Sequence, residues 1–275
     1  MRKIILIILM TLPFGLMAQY WEMGVFLGGA NYNGDFVDKG SILVLKETNF
    51  AYGFLVRYNY TKRFNFRGSI YKGYISGSDD NASSNYSKKF TRNLSFRSSI
   101  MDIGAKVEYN LLPYKSGHFK YKYAPFIFLG VSYLKFNPQA FYNGKWVNLQ
   151  PLGTEGQGIP LYKDRAYSLS QVVIPFGLGW KQSIGRYINL GLEVTAVKTF
   201  TDYLDDCSTT YVATADLIKA HGQISANLSN RTGEVGERIE YTDKNIRGNP
   251  DNKDWYYFAG ITITYSILGN MCMGY

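Results

Sequence analysis

The chain has 275 residues, of which 16% are aromatic, and a formal net charge of +9. Beyond its N-terminal segment, no stretch approaches the 18 or more apolar residues of a transmembrane helix, which excludes a helical membrane protein. Two cysteines and two histidines exclude a disulfide framework and a Cys/His metal cluster. A basic charge is typical of nucleic-acid-binding proteins, but in an exported protein it indicates anionic lipid or acidic protein partners instead.

The first 18 residues have the pattern of a secretory signal peptide. Arg2 and Lys3 precede an apolar run, and Ala18 stands at the expected cleavage point. The run is shorter than the roughly 20 residues that span a bilayer, which disfavours a membrane anchor. We therefore predict a cleaved signal peptide at 1–18 and an outer-membrane β-barrel domain at 19–275.

The rest of the chain alternates apolar and polar residues in segments of strand length. Side chains of a strand point to opposite faces with a period of two, so each segment predicts a strand with one apolar face. The predicted strands are 20–31, 49–60, 63–77, 93–110, 123–137, 168–182, 187–200 and 255–268. The faces of 123–137 are the least distinct. In 93–110 the apolar residues change from even positions (Ile100) to odd ones (Ile103), which predicts a β-bulge near 98–101.

Long and short connections alternate between these strands. The long ones are 32–48, 78–92, 138–167 and 201–254, and the short ones are 61–62, 111–122 and 183–186. This asymmetry is typical of barrels with short periplasmic turns and long surface loops. We therefore predict an all-β fold, an eight-stranded antiparallel transmembrane β-barrel in the cell outer membrane. A soluble lipocalin-like barrel with its apolar faces inside is the alternative.

Seven charged residues fall on the predicted strand faces opposite the apolar ones. They are Glu22, Arg57, Arg67, Lys106, Glu108, Lys181 and Glu193. An eight-stranded barrel is just wide enough for side chains to fill it, and buried charges must pair. The pattern predicts an ion-pair lattice that plugs the lumen, with a narrow conducting path as the alternative.

Motifs of catalysis are missing from the sequence. It contains no G-x-S-x-G, no H-E-x-x-H and no P-loop. His118 lies in a predicted turn and His221 in a predicted surface helix, both interpreted as solvated. We expect no enzymatic activity, no cofactor and no small-molecule substrate.

Two loop segments have unusual sequences, PLGTEGQG at 151–158 and TFTDYLDDCSTTY at 199–211. The second contains Asp202, Asp205 and Asp206, whose oxygens could hold Ca²⁺ or, in the interpretation we favour, bind backbone amides and nearby Lys and Arg. Residues 213–228 have a weak helical pattern.

These two segments, together with RGN at 247–249 and DWY-F-G at 254–260, resemble the PorG-type family of Bacteroidetes outer-membrane proteins, over essentially the whole mature chain. Cys207 stands where that pattern has an aliphatic residue. The family belongs to the type IX, or Por, secretion system. The resemblance implies a non-enzymatic barrel that associates from the periplasmic side with a ring built of a lipoprotein and its partner.

Contacts with such a ring would lie on the periplasmic turns. The largest turn, 111–122, contains Tyr114, Lys115, His118, Phe119, Lys120, Tyr121 and Lys122. Aromatic anchors among lysines suit an acidic protein partner, although they also suit an inner headgroup girdle. A small porin or passive channel and a surface-loop adhesin are the alternative functions. The predicted topology also separates Cys207 from Cys272 across the membrane, so we expect no disulfide between them.

Overall fold

The computed structural model describes residues 19–37, 44–81 and 92–267. The predicted signal peptide, the tail 269–275 and Cys272 lie outside the described residues, so the disulfide prediction remains a prediction. The strands are β1 (Tyr20–Asn33), β2 (Asn49–Asn59), β3 (Phe64–Ser78), β4 (Ser95–Asn110), β5 (Tyr123–Tyr142), β6 (Lys145–Asn148), β7 (Ser170–Ile184), β8 (Ile188–Lys198) and β9 (Trp255–Ile267).

Eight of these strands form a closed antiparallel barrel. Adjacent strands in the order β4-β3-β2-β1-β9-β8-β7-β5 are hydrogen-bonded to each other, and pairing of β4 with β5 closes the barrel. β6 is a four-residue hairpin partner of β5 beyond the barrel wall. Closure leaves no free sheet edge in the wall, which is the condition for strands to cross a lipid bilayer.

The eight predicted strands correspond one to one to the barrel strands, and their ends differ by a few residues. The largest difference is in β5, which continues to Tyr142 and has 20 residues. At ~3.3 Å per residue and a tilt of ~40°, such a strand rises roughly 50 Å, about twice the ~25 Å apolar band of a membrane barrel. β5 therefore extends well beyond the membrane on the side of the long loops.

The predicted bulge in the fourth strand is wrong. The pairing of β4 with β3 and with β5 runs without interruption, and even-numbered side chains face the interior along its whole length. Phe96 and Ile100 are buried near the loops, whereas Lys106 and Glu108 are buried lower in the barrel. The apolar residues change parity because the interior changes from apolar to polar along the strand, not because the backbone changes register.

Within the described ranges, helices occur only in the connections between strands. Two short α-helices, α1 (Thr214–His221) and α2 (Gln223–Ser229), occupy the predicted helical segment. Short 3-10 helices are Leu45–Glu47, Asp79–Asn81, Gln150–Leu152, Pro160–Arg165 and Thr232–Glu234. Among the described residues, no helix has the length and apolar character needed to cross a membrane.

Two dissimilar ends and two opposite faces follow from this topology. Short turns at 60–63, 111–122 and 185–187 lie with the first residue of β1 at one end, called the turn end; the other end is called the loop end. Between them, apolar side chains such as Val25, Phe54 and Leu192 are exposed on the outer face. This apolar outer band, around an interior that contains the buried charged side chains, is the arrangement of a membrane-spanning barrel.

Candidate functional site: a plugged barrel and its two ends

The seven charged residues chosen from the sequence all lie inside the barrel, in its turn-end half, and all are buried. Arg57 connects two carboxylates, with Nη1 2.5 Å from Glu22 and Nε 2.7 Å from Glu108. Arg67 connects Glu108 (3.1 Å) to Glu193 (2.5 Å). The resulting chain of ion pairs crosses the lumen through side chains from β1, β2, β3, β4 and β8.

Two lysines complete this layer in different ways. Lys181 Nζ lies 3.2 Å from Glu108. Lys106 instead lies over the rings of Tyr71 and Phe128, 4.7 and 5.2 Å from their centroids. Such cation–π contacts replace part of the hydration that a buried ammonium loses.

Asp102 also lies in the lumen, although it is not among the seven predicted residues. It is buried and accepts a hydrogen bond of 2.6 Å from Tyr256. Its even number, shared with Lys106 and Glu108, is the signal that could have placed it inside. With Asp102, the strand residues facing the lumen comprise four cations and four carboxylates, which balances the formal charge.

The loop end is closed by a folded cap built from the long loops. Glu155 and Arg247 form its centre; both are buried and lie 3.0 Å apart. Glu155 also accepts hydrogen bonds from the backbone amides of Ser208 (2.9 Å) and Thr209 (3.0 Å). The segments 151–158 and 199–211 thus meet at one carboxylate, which explains their unusual sequences as parts of one cap.

Glycines shape the first of these segments. Gly153, Gly156 and Gly158 all have positive φ, between 57° and 90°, a region that side chains other than glycine rarely adopt. At Gly156 a Cβ would also lie 2.6 Å from the ring of Tyr162. The backbone can therefore turn tightly enough to bring Glu155 to Arg247.

The three predicted loop carboxylates are buried in this cap. Asp205 accepts from Tyr32 and from the Cys207 amide (2.8 Å), and Asp206 accepts from Thr154 and from Tyr167 (2.6 Å). The oxygens of Asp205 and Asp206 are therefore bound by protein donors, whereas both carboxylate oxygens of Asp202 are buried without a hydrogen-bond partner among the described residues. Across the described ranges, no three His, Cys, Asp or Glu side chains are grouped to hold a metal ion.

Burial changes the proton affinity of these carboxyl groups. It raises the pKa of Asp202 to about 8. It also raises the pKa of Asp206 to about 6, although Arg247 and the two hydroxyl donors oppose the shift. The cap therefore holds acidic groups that are partly protonated near neutral pH.

The turn 111–122 folds under the barrel and closes the turn end. Tyr114 and Ser116 both donate to Asn189 Oδ1 at 2.8 Å, and the Ser116 amide donates to Tyr20 at 3.0 Å. Tyr114 is only 1% exposed, so its choice as a partner contact was wrong. Its ring seals the lumen instead.

The remaining predicted contact residues of this turn face outward. Phe119 is 88% exposed and stacks on His118. Tyr121 lies under Lys62 Nζ, 4.4 Å from the ring centroid, and Lys115 and Lys120 flank it. Partial burial and the lysines at 115, 62 and 120 lower the pKa of His118. Segments 60–63, 111–122 and 185–187 contain no Asp or Glu, so this surface, called the basic turn surface, is uniformly basic.

Together these features define a class, the membrane-spanning eight-stranded β-barrel whose lumen is filled and whose two ends are closed. The family profile described as Domain of unknown function (DUF6089) matches residues 1–227, and the chain belongs to that family. No curated protein matches the chain.

Several solved barrels are similar to this chain at low identity. The N-terminal β-barrel domain of OprF of Pseudomonas aeruginosa is 8% identical with a TM-score of 0.36, covering 91% of this chain and 98% of that chain. For OprG of the same organism the values are 7%, 0.39, 92% and 98%. For Ail, the attachment invasion locus protein of Yersinia pestis, they are 8%, 0.38, 90% and 97%. The assignment as a closed barrel therefore rests on the strand pairing itself.

Proposed function

We propose that this protein is a non-enzymatic outer-membrane component of the type IX protein secretion machinery, and that it holds the periplasmic ring complex at the membrane. The basic turn surface is the observation that supports it. The PorG-type resemblance of the loop segments supplies the identity of the machinery. A lipoprotein and its partner, which build the ring, are the proposed binding partners.

The filled interior favours an anchor over a channel. The lumen charges have almost no solvent-exposed surface, and they connect through Arg57 and Arg67 across the barrel. An anchor needs rigidity, whereas a porin needs a continuous water path. The porin alternative therefore has less support from this geometry.

The adhesin alternative has one observation in its favour. An open cleft on the cap is lined by Phe141, Tyr142, Asn227, Arg231 and Arg238. A cleft on the cell-surface side could bind an external ligand. Loss of the cap cleft should then affect attachment but not secretion, which separates the two functions.

Chemistry and position both suit the basic turn surface to a ring protein. Phe119 offers an apolar anchor with almost its whole side chain free. The surrounding lysines would steer an acidic partner and accelerate its association. The turn is tied to the barrel end through Tyr114 and Ser116, so binding would cost little ordering of the chain.

The decisive variants change this surface and leave the plug intact. Phe119→Ser combined with Lys120→Ser should abolish co-purification of the ring proteins in mild detergent and make cargo accumulate in the periplasm. Leu161→Ser is the matched control, because Leu161 is also an exposed apolar side chain (76%) but lies on the cap. If the turn variant secretes normally while the cap control fails, the anchoring proposal is wrong.

A further inference from the structure

The charged residues of the barrel strands have different signs on the two faces of the wall. Every Asp and Glu of the eight barrel strands faces the lumen: Glu22, Asp102, Glu108 and Glu193. The charged residues on their outward face are all cations: Lys72, Arg97, Lys135 and Lys198. The lipid-facing wall therefore has no carboxylate to neutralise these cations.

Three of the four outward cations form a cluster on adjacent strands. Lys72 of β3 pairs in register with Met101 of β4, and Met101 pairs with Lys135 of β5. The two lysines thus lie at one level, two strand spacings or roughly 10 Å apart. Neither forms an ion pair with any carboxylate among the described residues.

Arg97 lies on the same face of β4, two outward positions nearer the loop end. Its guanidinium carbon lies 3.8 Å from the ring centroid of Trp146 and 5.0 Å from that of Tyr74. It also donates to Gln139 at 3.0 Å. These contacts hold the third cation of the cluster in a fixed position.

The cluster stands where the apolar belt ends. Outward positions immediately toward the turn end are apolar or aromatic: Ile70 on β3, Ile103 on β4 and Tyr133 on β5. Toward the loop end the next outward positions are Tyr74 on β3, Ser99 on β4 and Asn137 on β5, so aliphatic side chains give way to aromatic and polar ones. A tyrosine and lysine boundary of this kind marks the headgroup level of a bilayer.

We propose that Lys72, Lys135 and Arg97 bind the phosphate groups of a phosphorylated glycolipid in the outer leaflet of the outer membrane. The surface is continuous with the lipid-facing belt, so its ligand must reach into the headgroup layer. Unneutralised ammonium groups match phosphate, and Arg97 adds a planar donor for its oxygens. The proposal rests on the outer-membrane location in the proposed function but not on the role in secretion.

The wall offers a matched control in Lys198. It is an outward lysine that also ends the apolar row of its strand, β8, and lies 5.9 Å from the ring centroid of Trp255. It pairs in register with Ile174 and Trp255, so no cation stands beside it in the sheet. Lys198→Gln removes one outward charge without touching the cluster.

The test measures glycolipid binding to the purified mature protein in detergent micelles. Bis-phosphorylated lipid A is the probe, and its dephosphorylated form is the comparison, with native mass spectrometry as the readout. Since each surface cation contributes about fivefold in affinity, Lys72→Gln with Lys135→Gln should weaken binding of the phosphorylated probe by about 25-fold. Lys198→Gln should change it less than about fivefold.

Heat-modifiable migration on gels shows that each variant is folded. Equal binding of the phosphorylated and dephosphorylated probes would overturn the proposal, as would an equal loss in the Lys198→Gln variant. Secretion and ring co-purification are measured separately. Loss of glycolipid binding specificity with normal secretion would overturn the glycolipid proposal alone. Normal glycolipid binding without ring co-purification would overturn the secretion proposal alone.

Discussion

Consecutive side chains of one strand lie in opposite environments, as Leu192 and Glu193 of β8 show. Leu192 is 59% exposed on the outer face, whereas Glu193 is 2% exposed in the lumen. Glu193 accepts from Arg67 at 2.5 Å and from Tyr71 at 2.9 Å. Removing one partner of a buried ion pair leaves the other charge uncompensated, at a cost of roughly 3–5 kcal/mol.

We therefore expect Glu193→Leu to lower the unfolding free energy by several kcal/mol and Leu192→Val to leave it almost unchanged. Leu192 faces lipid, so lipid chains fill the space of the methylene group that Leu192→Val removes, and little stability is lost. Urea titration of the barrel refolded in detergent or lipid vesicles measures both values. Equal shifts in the two midpoints would contradict the assignment of Glu193 to a buried ion pair, and a larger shift for Leu192→Val would show that the inner and outer faces are reversed.

Tyr114 and Phe119 separate stability from surface function within one turn. Tyr114→Phe removes the hydroxyl that donates to Asn189, which should cost about 1 kcal/mol of unfolding free energy. Phe119→Ser should leave stability unchanged because the ring is almost wholly exposed. The same unfolding titration measures both variants, and a destabilised Phe119→Ser would mean that this ring packs in the native turn.

At the scale of elements, the cap should respond to pH through Asp202. Because burial raises its pKa to about 8, the folded cap holds a proton that the unfolded carboxyl releases near its ordinary pKa of about 4. Stability contributed by this group is present at low pH and is lost as pH rises from about 4 to 8. Raising the pH should therefore loosen the cap.

Cys207, buried in the cap, is the reporter for this effect. In a Cys272→Ser background, the rate of Cys207 labelling in the Asp202 protein is divided by the rate in Asp202→Asn at each pH. This ratio should rise several-fold between pH 5 and pH 9, as the proton on Asp202 is lost from the closed cap. Comparing the two proteins at each pH cancels the reactivity of the thiol itself. A constant ratio across this range would refute the role of Asp202.

The sequence predicts the barrel better than the cap, for a physical reason. Alternation along β8 and β9 is local, so the faces and ends of these strands can be read directly. The contact of Glu155 with Arg247 joins residues 92 positions apart, and no local period signals it. The wrong prediction of a bulge in β4 has a related cause. Alternation shows which residues are apolar, but it does not show whether the apolar residues face the lipid or an apolar part of the lumen.

For the whole molecule, the plug and the cap act as two seals in series. The ion-pair layer fills the turn-end half through Arg57, Arg67 and Glu108. Above it, an apolar core including Phe26, Tyr71 and Phe258 occupies the lumen beneath the cap. An ion crossing the barrel would have to pass the cap and then the filled lumen beneath it. Opening only the outermost loops should therefore not create a channel.

This two-seal arrangement predicts that a barrel with a shortened cap does not conduct. Residues 213–245 can be replaced by a short Gly/Ser linker, because Thr210 and Ile246 pair in a β-bridge and hold the two ends together. The shortened protein should remain heat-modifiable and show no step currents in planar bilayers, as should the full chain. An eight-stranded barrel is filled by its own side chains, and here Arg57 and Arg67 fix that filling through Glu108. Discrete single-channel currents from the shortened protein would mean that the loops alone block ion passage, and they would support the channel function.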